Sequence, residues 1–156
     1  MLVDSHCHLD LMDLKNYENS FSKLIEKISA TGVTHMLCVS VDLDSYTEML
    51  KLVEDFPNIS VSVGIHPCDK NRRESTVDEL VSLANHKKNV AIGETGLDYY
   101  RTDGDILWQK ERFRMHIEAA KLSSKPLIIH TRDAREDTIK ILEEEGASEI
   151  GGVMHC

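Results

Sequence analysis

No run of about eighteen apolar residues occurs in the 156-residue sequence, so no membrane span is expected. The first residues hold no basic segment leading into an apolar stretch. Asp4 and His6 interrupt at once, and no secretory signal is expected. Cysteines are few: Cys7, Cys38, Cys68 and Cys156 form no CxxC pair and no secreted framework. Reduced thiols and a cytoplasmic location follow as expectations. Basic residues are in the minority, 18 Lys+Arg against 27 Asp+Glu, for a net charge of −9. That balance argues against a large basic surface tracking duplex phosphates. It leaves nucleotide substrates open, because bound divalent ions would supply the positive charge an anionic substrate needs. Also missing are a Gly-rich phosphate loop, a GxGxxG after the first strand, a linker, a low-complexity tract and a sequence repeat. One domain over residues 1–156 is expected.

What is present is an alternation of strand-like and helix-like segments. Strands are predicted at residues 1–6, 33–41, 59–65, 90–94, 126–130 and 151–155. Several are near-continuous apolar runs, as in Pro126-Leu127-Ile128-Ile129-His130, and such runs suit a parallel sheet buried on both faces. Helical stripes fill the gaps: Phe21, Leu24, Ile25 and Ile28; Tyr46, Met49, Leu50 and Val53; Val77, Leu80, Val81 and Ala84; Phe113, Ile117 and Ala120; Ile139 and Leu142. Ser45-x-x-Glu48 and Thr76-x-x-Glu79 read as capping boxes.

Parallel strands with intervening helices leave an open doubly wound sheet or a (β/α)₈ barrel. Metal-binding residue types sit at the C-terminal ends of five strands. An open sheet would spread those ends along a line, whereas a barrel gathers them over one mouth. A TIM barrel is therefore expected, with this chain covering about its first six strands. A complete barrel takes eight strands and about 250 residues. The chain is accordingly expected to be a truncated form or fragment, with strands 1 and 6 as open, association-prone edges.

The motifs lie at those ends. In His6-Cys7-His8 the two imidazoles share one face of a strand and Cys7 takes the other. Glu94 closes an apolar run in Gly93-Glu94-Thr95-Gly96-Leu97-Asp98. A carboxylate there is costly to bury alone, and a metal would compensate it. His130 closes the next strand, with Arg132 two residues on, and His155 closes the last. His66 precedes Pro67, which keeps it extended and suits it to substrate rather than metal. Each histidine alone reads as an ordinary polar residue; their shared placement is what chance explains poorly. His35 falls at the wrong end of its strand. His86 suits a helix C-terminus, His116 is expected at a solvent boundary, and Trp108 is expected to pack.

Together DSHCHLD, GIHP, GETGLDYYR, a Gln109…Phe113 helix, PLIIHTRDA and VMHC resemble the TatD family of metal-dependent deoxyribonuclease-like hydrolases. The resemblance covers essentially the whole chain. It implies a TIM barrel and two divalent ions (magnesium, manganese or zinc). It also implies hydrolysis of nucleic-acid phosphodiesters as a deoxyribonuclease, in the manner of a 3′–5′ exonuclease. Carried over by position, His6 and His8 would bind one ion, Glu94 would bridge, His130 and His155 would bind the second, and His66 and Arg132 would meet substrate. The family's further catalytic aspartate would lie beyond Cys156. DNA, preferably single-stranded, is the expected partner; no protein partner is inferred. Two other readings stay open: an ester or amide hydrolase such as an aminoacyl-tRNA deacylase, and an inactive barrel that only binds metal or a partner.

Overall fold

The computed structural model describes residues 2–68, 70–102 and 104–156. Met1, assigned above to the first strand, lies outside the described residues. The elements alternate as expected: β1 (Leu2–Cys7), α1 (Phe21–Ala30), β2 (Val33–Cys38), α2 (Tyr46–Val53), β3 (Ile59–Val63), α3 (Val77–Ala84), β4 (Asn89–Asp98), α4 (Leu107–Ser123), β5 (Leu127–Arg132), α5 (Arg135–Glu144) and β6 (Gly152–His155). The six strands form one parallel sheet in sequence order.

Apolar side chains at helical spacing bury one face of each helix against the sheet. Leu24, Tyr46, Met49, Leu80, Phe113 and Ile117 meet Met36, Val61, Ile92 and Leu127 in the main core. Each such side chain contributes roughly 1.5–3 kcal/mol by leaving water. Alternation along β5 sends Leu127 and Ile129 into this core and Ile128 into a smaller cluster with Val39 and Ala91. His130 continues the Ile128 face, so the strand-end histidines lie opposite the helices.

The sheet is strongly curled. Five strand spacings of about 4.8 Å would hold the edges of a flat sheet roughly 24 Å apart. Yet the rings of His6 on β1 and His155 on β6 lie 4.1 Å apart, centroid to centroid. Six strands of a barrel-like α/β architecture therefore bring their C-terminal ends to one mouth, as expected.

Two expectations fail locally. Thr76 caps α3 by accepting from the Glu79 amide at 3.2 Å, but Ser45 makes no side-chain cap on α2. Its amide and hydroxyl both donate to Asp42 Oδ1 at 2.7 Å, which holds Ser45 in helical backbone geometry and takes the hydroxyl from the capping role. The second failure is β4, which runs on to Asp98 instead of stopping at Glu94. Gly93 and Gly96 lie within the strand at φ +145° and +129°. A Cβ on Gly96 would sit 2.1 Å from the His130 carbonyl oxygen. The glycines thus serve a close β4–β5 approach with an irregular register between Ile92 and Thr95.

Candidate metal centre

Glu94 stands at the middle of the mouth with its side chain 3% exposed. Five imidazoles surround it. His6 Nε2 is 3.3 Å and His8 Nε2 3.9 Å from Oε2; His66 Nε2 is 3.4 Å, His130 Nδ1 3.2 Å and His155 Nε2 2.7 Å from Oε1. Burial opposes ionisation of this carboxyl, but hydrogen bonds from His130, His6 and His66 outweigh it and hold the group well below the usual carboxylate range. The site lines a cleft of about 410 Å³ that Arg72 and Arg101 also border.

Main-chain and hydroxyl contacts fix the parts. Cys7 faces away from the cluster, as alternation requires, and its thiol donates to the Leu37 carbonyl at 3.3 Å. His8 Nδ1 donates to the Val39 carbonyl at 2.8 Å, which fixes the ring with Nε2 toward Glu94. Ser62 Oγ donates to the Gly93 carbonyl at 2.6 Å, and the Glu94 amide donates to the Ser40 carbonyl at 3.0 Å, tying β4 to the ends of β2 and β3.

The helix behind the sheet contributes three polar residues that are 0–2% exposed: Gln109, Arg112 and His116. Gln109 Oε1 accepts from the Asp98 amide at 2.9 Å and its Nε2 donates to the Asp98 carbonyl at 3.0 Å. Arg112 Nη1 donates to the His66 carbonyl at 3.0 Å, and its Nε donates to Glu74 at 3.1 Å. His116 Nε2 accepts from the Ile65 amide at 3.0 Å, while its Nδ1 donates to the Arg112 carbonyl at 2.8 Å. The solvent-boundary expectation for His116 is thus corrected. The ring is fully buried because it terminates a main-chain donor just ahead of His66.

Sequence reading missed Asp98 and Cys68. Asp98 Oδ2 lies 2.9 Å from His130 Nε2 and 3.2 Å from Cys68 Sγ. Burial opposes its ionisation too, but donors from Cys68, the Arg101 amide and His130 hold it below its usual range. His130 is drawn the other way: burial disfavours its charge, yet Glu94 and Asp98 at its two nitrogens raise its pKa. The signal for Asp98 was there, since it lies four residues after Glu94 on the even-numbered face. Arg132, expected at the substrate, stacks its guanidinium 3.8 Å over the Tyr100 ring and does not line the cleft.

The donors suit a cation. His155 Nε2 is buried and finds no hydrogen-bond partner among the described residues, although Glu94 Oε1 lies 2.7 Å away. A lone pair and a carboxylate oxygen so placed are what a shared metal ion satisfies. Among the described residues, two groups of three have donor atoms within 4.8 Å of one another: His6, Glu94 and His155, and His66, Cys68 and His130.

Comparison with known proteins agrees with this architecture. The Escherichia coli K12 protein "Uncharacterized metal-dependent hydrolase YcfH" is 43% identical over 155 residues, 99% of this chain. This chain spans 58% of that relative's length. The Salmonella typhimurium protein named "3'-5' ssDNA/RNA exonuclease TatD" is 30% identical over 85% of this chain and 52% of its own. In fold, the crystal structure of YJJV, a TatD homologue from Escherichia coli K12, matches with a TM-score of 0.83 at 22% identity, over 98% of this chain and 59% of that one. Residues 3–156 match the family described as TatD related DNase, and the chain belongs to that family.

Proposed function

We propose that the protein is a metal-dependent hydrolase of nucleic-acid phosphodiesters, a deoxyribonuclease acting as a 3′–5′ exonuclease on single strands. His6, His8, Glu94, His130 and His155 hold two divalent ions in this reading, and His66 and Arg132 meet the substrate. The observation that carries it is the ring of five imidazoles around one buried carboxylate. Bound ions would stabilise the attacking and leaving oxygens of the phosphate. The protein's own part is to hold Glu94 ionised and to aim the imidazoles. Exposed Tyr100, with Arg132 over its ring, offers a stacking face for a base beside the mouth. The named exonuclease among the relatives supports the substrate class. The net charge of −9 supports single strands over duplex. Four free thiols suit a reducing cytoplasm, and no described helix is long and apolar enough to cross a membrane.

Labelled oligonucleotides test the proposal. Nucleotides should be released from the 3′ end only with a divalent ion present. Glu94→Ala should cut the rate by more than about 100-fold, beyond the 10–100-fold typical of losing an outer-shell partner. Undiminished cleavage in chelator, or in Glu94→Ala, rejects it.

A further inference from the structure

Two arginines border the cleft, and they differ in what holds them. Arg72 is ion-paired to Asp42, a carboxylate that Ser45 also holds. Arg101 is exposed and has no carboxylate partner for its side chain among the described residues. Its main chain is fixed all the same. The Arg101 amide donates to Asp98 Oδ1 at 2.9 Å, while Asp98 Oδ2 meets His130 Nε2 at 2.9 Å. One carboxylate thus ties the Arg101 backbone to the ring of imidazoles. The side chain reaches Cys68 across the cleft. Burial and Asp98 push the Cys68 thiol up to about 11, and the adjacent Arg101 acts against both. A neutral thiol is a weak acceptor, so the five donors of the guanidinium stay largely open.

We propose that Arg101 is the phosphate anchor of the mouth: its guanidinium takes the phosphate next to the scissile one, and so selects a nucleic-acid strand over an uncharged ester or amide. This rests on the reading of the mouth as a metal-dependent nuclease.

Charge and position favour it. A chain of net charge −9 repels an anion over most of its surface, so an unpaired cation at the cleft is where a strand is held. The planar fork of arginine matches two oxygens of one phosphate. Bound ions would take the charge of the scissile phosphate, which leaves its neighbour to the wall of the cleft. Arg132 does not reach that wall, because it stacks 3.8 Å over the Tyr100 ring outside the cleft. Tyr100 directly precedes Arg101 and is 64% exposed. A base on Tyr100 and a phosphate on Arg101 then lie along one strand.

Single-stranded oligonucleotides carrying one uncharged methylphosphonate linkage test the anchor on the full chain with its divalent ion. Arg101→Ala should raise KM by about 10–100-fold with kcat nearly unchanged, as expected for losing hydrogen bonds to a charged group. Arg101→Lys should recover part of the loss. An uncharged linkage beside the scissile one should cost wild type the same factor and cost Arg101→Ala nothing further. An unchanged KM in Arg101→Ala, or an equal cost of the uncharged linkage in both chains, overturns the anchor and leaves the nuclease standing. Fluorescence anisotropy with calcium in place of the catalytic ion reads binding without turnover. There the slope of log Kobs against log salt should flatten by about 0.7 in Arg101→Ala, one phosphate contact on a single strand. If wild type cleaves no nucleic acid, the nuclease reading falls, and this slope decides Arg101 by itself: flattening supports the anchor, and an unchanged slope overturns it. Absence of both cleavage and binding overturns both.

Discussion

His116 shows how one buried side chain ties a site to pH. Burial pushes its pKa from 6.5 down to about 4, so the ring is neutral in the fold and accepts the Ile65 amide. The unfolded chain binds the extra proton between those values. Stability from this group is thus complete above about pH 6.5 and lost as pH falls toward 4, by on the order of 3 kcal/mol. Urea unfolding of wild type and His116→Gln across that window should show a steeper loss in wild type; parallel curves would contradict the assignment. Gly96→Ala is the complementary case. The new methyl would meet the His130 carbonyl oxygen at 2.1 Å, in backbone that side chains rarely adopt. A loss of at least about 1–3 kcal/mol is expected in the same unfolding assay. Sequence disclosed the strand-end histidines because period-two alternation and chain order suffice to place them. It hid His116 because an amphipathic count beside Arg114 and Glu118 cannot see a main-chain partner fifty residues upstream.

At the scale of elements, α4 acts as the brace of the mouth. Gln109, Arg112 and His116 recur at helical spacing and reach the ends of β4 and β3. Removing Gln109 would strand the buried Asp98 amide and carbonyl, at roughly 1–3 kcal/mol for each unsatisfied group. Gln109→Ala should therefore lower the melting temperature and loosen metal binding together. An unchanged melting temperature would show that water replaces the amide without cost. The order of strands and helices was legible because apolar runs and stripes mark them. The extent of β4 was not, since glycines that allow two strands to touch read the same in sequence as glycines that make a turn.

At the scale of the whole molecule, the curled sheet leaves two edges. β1 exposes Leu2 and Val3, and β6 exposes Val153 and Met154. Unpaired strand groups beside apolar side chains invite pairing with another chain. Sedimentation of the 156-residue chain should show association that grows with concentration; a monomer across the micromolar range would contradict this. The contact of His6 with His155 has a further meaning. The donors run from His6 to His155, so the centre has a very high contact order. During synthesis it cannot assemble until β6 has left the ribosome, and in refolding its closure must wait for the intervening strands to dock. An ion held there would bind only after β1 and β6 have met, and so would select chains whose six strands have docked correctly.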